Sequence, residues 1–554
     1  MAASSSPEDP GTAAGTTGEG SGEPPSAAPV PEHTSLRHLL EETDEFVTAV
    51  ELVTSRGVLS DIEGQRVLAK ARELADCPRI DVLSITDNPA GNAMLAADTL
   101  GTDLMSHGQE VIIHLACKDC NRNSLQSRGW NLASEGFDNI LALSGDYPSP
   151  GFAGMGRPSF DIDSVGLLSM YSAMNRGLFD EKTHRTMRPT SFFLGAVVTN
   201  HKRHERELVP QYLKLKKKID TGARFIINQV GYNARKEDEL LRWLAHAGLD
   251  VPVIANVYVL SPSAARAFHS GRIPGVVVTD ELLALAERQG ASPDKGRAFF
   301  LELAAKQVAI ARGLGYRGAY LGGRLEPSDC ENILTRADAF SPEDWKSFAK
   351  DIQFDSVGEF YYFEGDEATG LGSSQLNGAF VASQSSAARR RARSKVPVAY
   401  RTSRFAHAAV FDPTAPLFGL ARRFYQAVEA CPRQAQNLLH LAEHTAKKPL
   451  FDCQDCGDCS LAEIAYLCPE SQCVKNQRNG PCGGSRDGMC EVGEKQCIWA
   501  RAYKRLKPYG EEGSMLDGPI VLNNNVLRHT SAWANTFLGR DHLGRLVNEQ
   551  ENVQ

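Results

Sequence analysis

The 554-residue sequence has no excess of positive charge, no long hydrophobic run and no secretory pattern, and each absence excludes a class of protein. Lys and Arg number 60 against 68 Asp and Glu, so the formal net charge is −8. We therefore expect no nucleic-acid or anionic-membrane partner. No apolar stretch approaches the roughly 20 residues of a membrane span. The first residues lack a basic segment followed by an apolar one, so we expect a cytoplasmic protein.

Short apolar runs alternate with helical patterns over the first two thirds of the chain. Eight runs cover 46–52, 81–87, 110–117, 139–146, 191–199, 224–229, 251–259 and 318–323. They are rich in Val, Ile and Leu with little alternation, which is typical of parallel strands covered on both faces. Eight strand–helix repeats predict an α/β fold, a (β/α)8 TIM barrel over 36–340. A doubly wound sheet is the alternative, but no G-x-G-x-x-G motif follows the first run.

The remaining segments differ in composition. Residues 1–35 contain few large apolar side chains and predict a disordered tail. Residues 341–450 predict a connecting region with helices and one basic loop at 389–395 (RRRARSK), which we interpret as solvated; contact with phosphate or a partner is the alternative. A small cysteine-rich α+β metal-binding domain at 451–510 and a C-terminal extension at 511–554 complete the chain.

Eight of the thirteen cysteines fall within 45 residues of one another near the C-terminus. They are Cys453, Cys456, Cys459, Cys468, Cys473, Cys482, Cys490 and Cys497. In a reducing compartment, such spacing indicates metal ligation more often than disulfides. Thiolate-only sites suit iron–sulfur clusters and zinc, so we favour a [4Fe–4S] cluster and keep zinc as the alternative. Eight ligands suit two four-ligand sites, or one site plus spare thiols. The segment is too short to bury much core, so we expect metal to drive its folding.

Polar residues follow the predicted strands where a TIM barrel places its chemistry, at the C-terminal strand ends. They are Glu51, Thr86, Asp87, His114, Gly145, Asp146, Asn228, Gln229 and Arg324. Two carboxylates at one barrel mouth suit general acid–base chemistry if their surroundings keep one of them protonated. Each residue also has a structural interpretation: Glu51 could pair with a lysine, His114 could be a hydrogen-bonded core histidine, and Asp146 could cap a turn.

Three segments in combination resemble methylenetetrahydrofolate reductase, a flavin-dependent barrel enzyme. They are VIIHLACKDCNRNSLQS at 111–127, NILALSGDYP at 139–148 and KKKIDTGARFIINQ at 216–229. The cysteine-rich segment 453–499 resembles the iron–sulfur partner subunit of such reductases in some anaerobes, here fused to the barrel.

The resemblance implies a role for particular residues. Glu51 matches the acid that helps to open the methylene bridge of the folate, and Asp146 matches a carboxylate beside the flavin and the pterin. The implied flavin-binding positions are Thr86, His114, Leu143, Gly145, Asp146, Lys218 and Ala223. The implied substrate-binding positions are Glu51, Asp146, Gln229 and Arg324. The implied reaction is flavin-dependent reduction of methylenetetrahydrofolate to methyltetrahydrofolate.

The sequence departs from the family pattern at one three-residue segment and at one single position. Val53, Thr54 and Ser55 replace the aromatic-Pro-Pro sequence after the first strand, and Ser144 stands where many members have Arg. The second departure leaves the choice between FAD and FMN open. The electron donor also stays open between NAD(P)H and a ferredoxin-type or other redox partner acting through the cysteine module. We expect a homo-oligomer. The alternative functions are a folate-binding methyltransferase and an electron-transfer or scaffold subunit with a structural zinc module.

Overall fold

A computed structural model describes residues 34–180 and 182–544. Eight parallel strands form a closed barrel in chain order. They are β1 (Val47–Leu52), β2 (Val82–Ile85), β3 (Glu110–Ala116), β4 (Asn139–Leu143), β5 (Phe193–Val198), β6 (Phe225–Asn228), β7 (Val253–Tyr258) and β8 (Gly318–Gly322). β1 pairs with β8 from Val47↔Gly318 to Val50↔Leu321, which closes the barrel. This closure confirms the predicted TIM barrel and rules out the doubly wound sheet.

The strands form because their residues are buried on both faces, as the near-continuous apolar runs predicted. The barrel interior is filled by large side chains that include Ile112, Leu141, Phe193, Phe225 and Ile254. A second and larger apolar cluster lies between the outer faces of the strands and the surrounding helices. The barrel interior is therefore a packed core, and a barrel of this kind places its chemistry at the C-terminal mouth.

Helices surround the strands in the order that the sequence predicted. They are α1 (Leu36–Glu41), α2 (Ile62–Ala75), α3 (Ala97–Ser106), α4 (Arg122–Ser134), α5 (Ser164–Arg176), α6 (Glu205–Asp220), α7 (Ala234–His246), α8 (Pro262–His269), α9 (Asp280–Gly290), α10 (Arg297–Leu314), α11 (Pro327–Ala339) and α12 (Asp344–Asp351). Two short hairpins, Pro150–Gly151 with Gly154–Met155 and Phe179–Asp180 with Arg185–Thr186, interrupt the pattern. The predicted disordered tail lies outside the described residues except for residues 34 and 35, and Ser35 caps α1.

After α12, the connecting region contains a hairpin and five further helices. The hairpin pairs β9 (Phe363–Gly365) with β10 (Gly372–Leu376), and the helices are α13 (Gly378–Ser383), α14 (Ser386–Arg393), α15 (Val398–Ala406), α16 (Phe418–Glu429) and α17 (Arg433–Phe451). The prediction of a basic loop at 389–395 was wrong, because most of this run lies in α14. Ala and Arg favour helix, and the Ser385 hydroxyl accepts a hydrogen bond from the Ala388 N–H as an N-cap.

The cysteine-rich module has short helices and, within its described residues, only isolated β-bridges at Arg486↔Met489 and Met489↔Gln496. Its helices are α18 (Pro469–Gln472) and α19 (Ile498–Leu506), and α20 (Ser514–Asp517) and α21 (Ala532–Phe537) follow. The strand content implied by the predicted α+β domain is therefore absent from the described part of this segment.

The module also has more apolar core than the sequence predicted. Trp499, Tyr503 and Ile464 pack in one cluster with Val209 of α6, so the barrel supplies part of that core. Among the described residues, no helix is both long and apolar enough to cross a bilayer.

Candidate functional site at the barrel mouth

Glu51 lies on β1 with its carboxylate at the inner wall of the barrel. Its Oε1 accepts a hydrogen bond from the Tyr320 hydroxyl at 3.4 Å, and the Gly323 backbone is a second donor. Burial raises the pKa of Glu51 above its ordinary value, and the two hydrogen bonds offset only part of this effect. A carboxyl group held in this way keeps its proton to a higher pH than an exposed glutamate, as a general acid requires.

A polar network continues from Glu51 into the barrel interior. Tyr320 also hydrogen-bonds Ser84 of β2, whose hydroxyl lies 2.8 Å from Nε2 of His114 on β3. His114 is buried, and burial lowers its pKa to about 4, so its ring is neutral near pH 7. His114 thus contacts a buried hydroxyl inside the barrel, which is the structural interpretation left open above. A flavin contact from this residue stays a prediction.

Asp146 follows β4 across a turn that requires glycine. Gly145 has φ +83°, and a Cβ there would lie 2.9 Å from Cδ of Lys118. The turn directs Asp146 towards the loop after β2, where its Oδ2 accepts a hydrogen bond from the Ala90 N–H at 2.8 Å. Asp146 is therefore fixed by the backbone of a neighbouring loop, and it remains partly exposed at the mouth.

The other predicted flavin positions divide between the two ends of the barrel. Thr86 lies at the mouth, where its backbone N–H donates to Leu52, and Leu143 ends β4. Lys218 is buried on α6, and its Nζ donates to the Val197 carbonyl at 2.5 Å. Burial, with repulsion from Lys214, lowers the pKa of Lys218 to about 7.

Ala223 does not join these residues at the mouth. It precedes β6 and lines a cavity at the N-terminal end of the barrel together with residues that precede β7 and β8. Its N–H donates to the Lys218 carbonyl, so it contacts the end of α6. A flavin-binding role for Ala223 stays a prediction, and from this position it would act through α6.

Gln229 and Arg324 both lie at the C-terminal ends of their strands. A Cβ on Gly275 would lie 2.9 Å from Nε2 of Gln229, so this glycine leaves room for the amide. Arg324 is exposed, and its charge acts on the Tyr258 hydroxyl at the end of β7, which also interacts with Glu51. The predicted acid and the predicted substrate-binding arginine therefore act electrostatically on the same tyrosine.

A loop of the cysteine module covers the mouth beside β4 and β5. We call residues 475–485 the mouth loop. Lys475 Nζ donates to the Gly145 carbonyl at 2.7 Å and interacts with the charge of Asp146. The Gln477 side-chain oxygen accepts from Ser144 at 3.0 Å and from Lys214 at 3.1 Å. Sequence analysis missed Lys475 and Gln477 because they lie 330 or more residues from the strand ends that they contact.

The mouth loop contacts Ser144, the residue that stands where many family members have Arg. Ser144 itself is buried and bonded to Gln477, while Lys475 places a positive charge against the neighbouring Gly145. Lys202 fixes the far end of the loop, because its Nζ donates to the carbonyls of Gly483 and Ser485 at 2.5 Å. The module thus supplies a cation, ion-paired with the buried carboxylate of Glu491, beside the position where many family members carry Arg.

The eight clustered cysteines fall into two groups of four. Set one is Cys453, Cys456, Cys459 and Cys468, which line one small cavity. The charge of Cys468 raises the pKa of each of the other three thiols, after the larger effect of burial. Lys447 Nζ lies 3.7 Å from Sγ of Cys459, and Arg478 interacts with Cys456 and Cys468. Four thiols with two cations form a donor set that suits an anionic metal–thiolate centre.

Set two is Cys473, Cys482, Cys490 and Cys497. The charge of Cys482 acts on each of the other three thiols, so the four are electrostatically coupled. Set two adjoins the barrel mouth. Lys202 and Lys475 both interact with the charge of Cys482. Lys202 also donates to the Gly483 carbonyl of the mouth loop, and Lys475 donates to the Gly145 carbonyl after β4. Within the described parts of the chain, no three His, Cys, Asp or Glu side chains are close enough to hold a single metal ion.

Comparison with known proteins agrees with this division of the chain. The family model described as methylenetetrahydrofolate reductase matches residues 42–310, and the one described as methylene-tetrahydrofolate reductase C terminal matches residues 433–524. The chain contains a methylenetetrahydrofolate reductase family domain and a methylenetetrahydrofolate reductase C-terminal domain. The second match covers all eight clustered cysteines and the mouth loop, so the contacts at the mouth join these two domains.

Individual relatives are more distant. Methylenetetrahydrofolate reductase 2 of Saccharomyces cerevisiae is 26% identical over 193 residues, which are 33% of this chain and 29% of that protein. A Clostridium thermocellum protein that binds two copies of 5-methyl-5,6,7,8-tetrahydrofolic acid matches with a TM-score of 0.37 at 13% identity, over 53% of this chain and 94% of that one. A 2,3-dimethylmalate lyase matches with a TM-score of 0.31 at 12% identity, over 52% of this chain and 77% of that one.

Proposed function

We propose that the protein reduces methylenetetrahydrofolate to methyltetrahydrofolate with a flavin bound at the barrel mouth. The observation that carries the proposal is Glu51, a carboxyl group with a raised pKa at the strand ends of a methylenetetrahydrofolate reductase family domain. Asp146, Gln229 and Arg324 follow other strands at the same mouth and would orient the folate. Thr86, Leu143, Gly145 and Lys218 would hold the flavin, which when bound supplies the hydride.

The proton follows a short path in this proposal. The protonated Glu51 gives its proton to the bridge nitrogen of the folate, the bond from that nitrogen to the methylene carbon breaks, and the resulting iminium carbon accepts the hydride. Tyr320 hydrogen-bonds the carboxylate that remains on Glu51. General acid catalysis of this kind is typically worth about a hundred-fold to ten-thousand-fold.

We further propose that the two cysteine sets each hold a metal centre, with [4Fe–4S] favoured over zinc. Zinc binds thiolates at about 2.3 Å, which requires the sulfur atoms to converge on one point. A cluster of several iron atoms spreads its four thiolates more widely, and the C-x2-C-x2-C spacing of Cys453, Cys456 and Cys459 is the reason why the cluster is favoured. Because set two adjoins the mouth, electrons from a redox partner would have a route to the flavin; NAD(P)H at the mouth is the alternative donor.

Substitution Glu51→Gln tests the proposal. The amide keeps the shape of the side chain but cannot deliver a proton, so folate reduction should fall by about a hundred-fold or more, while reduction of the flavin by its donor stays nearly intact. Stopped-flow measurement of each half-reaction separates the two steps. If both half-reactions lose rate equally, or protein purified with ample flavin contains none, the proposed function fails.

A further inference from the structure

A cavity of about 480 Å³ lies where the barrel, the connecting region and the cysteine module meet, and its wall contains none of the residues assigned to the mouth. We call it the junction pocket. Its wall includes Arg206 at the start of α6, Arg389 of α14, and Lys504 and Lys507 at the end of the module. The volume lies within the range of small-molecule sites, roughly 300–1,000 Å³.

The junction pocket carries more positive charge than its own acids neutralise. Among the described residues, Glu205 is the one carboxylate in its wall, and it is occupied by Lys507 and by the Tyr503 hydroxyl at 2.6 Å. Within residues 34–180 and 182–544, neither Arg206 nor Lys504 has a carboxylate partner. Burial and repulsion from Arg206 lower the pKa of Lys504, which is the response of a cation that lacks a counter-charge.

The arginines of the junction pocket also retain unused hydrogen-bond donors. The Nε–H groups of Arg206 and Arg389 are both buried and have no acceptor among the described residues. A buried donor without an acceptor is costly, and native proteins leave few of them. The other guanidinium contacts leave these Nε–H groups unused: Arg206 donates to the Asp487 backbone carbonyl, and Arg389 donates to the Gln384 side chain and lies 3.5 Å from Glu512. An anion in the pocket would supply both the missing acceptors and the missing charge.

We propose that the junction pocket binds the phosphate group of a small phosphorylated molecule. Arginine pairs with phosphate oxygens through its planar set of N–H donors, and lysine adds a compact positive charge. Because the pocket wall comes from three parts of the chain, a bound phosphate would hold the cysteine module against α6 and α14. The inference rests on the pocket alone and does not depend on the reaction at the mouth.

Titration calorimetry of the full-length protein with inorganic pyrophosphate tests the inference. We expect one saturable site, and about a ten-fold or greater loss of affinity in Lys504→Gln and in Arg206→Gln, since a hydrogen bond to a charged group is worth about 1.5–3 kcal/mol. Arg391→Gln is the matched control, because Arg391 is exposed on α14 and outside the pocket yet removes the same charge. Pyrophosphate should also raise the Tm of the parent protein and not that of Lys504→Gln.

Absence of saturable binding would overturn the inference, and so would an equal loss of affinity in Arg391→Gln, since that would mean non-specific attraction to a basic surface. Lys504 is exposed and makes no ion pair within the part of the chain that the structure describes, so Lys504→Gln should fold normally. If Arg206→Gln fails to fold, the affinity of Lys504→Gln for pyrophosphate decides whether the inference holds.

Discussion

At the scale of single residues, the central feature is a carboxyl group whose surroundings oppose ionisation. Glu51 is partly buried near the end of β1, and its hydrogen-bond donors are the Tyr320 hydroxyl and the Gly323 backbone. Both donors stabilise the carboxylate and so lower the pKa of Glu51, which limits the rise caused by burial. The proton-donating form of Glu51 is present below that pKa and is lost as pH rises through it. The rate of folate reduction, which needs this proton, should therefore fall as pH rises through the pKa of Glu51. This fall is the high-pH limb of the pH–rate profile.

Substitution Tyr320→Phe should move this limb to higher pH. Loss of the hydroxyl removes a hydrogen bond to the carboxylate, so the pKa of Glu51 should rise further, by roughly half a unit to one unit for a bond worth about 1 kcal/mol. The pH profile of the folate half-reaction measures this shift. Tyr316→Phe is the control, because its hydroxyl donates to Glu237 at 2.7 Å outside the barrel mouth. A limb that stays in place or moves to lower pH would contradict the assigned hydrogen bond.

The sequence predicts part of this site because strand ends in a barrel must converge. Glu51 lies near the end of its strand, Thr86, Asp146, Gln229 and Arg324 follow theirs, and the structure places each of them at the mouth. Position alone does not reveal partners: the contacts of His114 with Ser84 and of Glu51 with Tyr320 depend on which strands are neighbours and which side chains face inward. Ala223 is an exception among the predicted site residues. It precedes β6 and therefore lies at the N-terminal end of the barrel, away from the mouth.

At the scale of elements, local chemistry determined some segments and long-range contacts determined others. The apolar runs produced eight strands within a few residues of their predicted bounds. The basic run 389–395 was predicted as a loop from its charge, yet an N-cap and helix-forming residues made it part of α14. The mouth loop has neither periodicity nor an apolar run, and its position depends on contacts with residues more than 260 positions earlier. No local signal in the sequence could have placed it.

The mouth loop should tune the flavin through Lys475. Its ammonium lies at the Gly145 carbonyl, beside Asp146. A cation near the ring favours the extra negative charge of reduced flavin, and a carboxylate opposes it. Lys475→Gln should therefore lower the flavin reduction potential, and Asp146→Asn should raise it.

Potentiometric titration of both variants provides the measurement, with Lys495→Gln as the control. Lys495 is an exposed lysine of the same module, and its substitution removes the same charge away from the mouth. Shifts of the same sign in Lys475→Gln and Asp146→Asn, or an equal shift in the control, would show that these charges do not act on the flavin.

At the scale of the whole molecule, the barrel follows from the sequence pattern, whereas the relation between the barrel and the cysteine module does not. A short segment rich in cysteine predicts a domain that depends on metal for folding. In the structure its apolar core is shared with α6, and the mouth loop joins set two to the strand ends. Set one lies against α17 instead, where Lys447 approaches Cys459. Set two therefore lies against the barrel mouth and set one lies against α17. The spacing of the cysteines in the sequence does not reveal this difference.

Substitutions in the two sets should have different consequences for the barrel. Cys456→Ser removes a thiol of set one, so it should reduce metal content and increase proteolysis near α17 while flavin stays bound. Cys482→Ser removes a thiol of set two and adjoins Gly483, which anchors the mouth loop to Lys202. We expect this variant to release the mouth loop and to weaken flavin binding as well.

Anaerobic purification, iron and zinc analysis, and a flavin affinity measurement compare the two variants directly. Cys431→Ser is the control, because Cys431 is an exposed free thiol outside both sets. If the clusters carry electrons, both variants should lose reduction by a ferredoxin-type donor and retain any activity with NADH; if the centres are structural zinc, both donors should be affected alike through stability. Equal flavin affinity in Cys456→Ser and Cys482→Ser would mean that set two does not hold the mouth loop against the barrel.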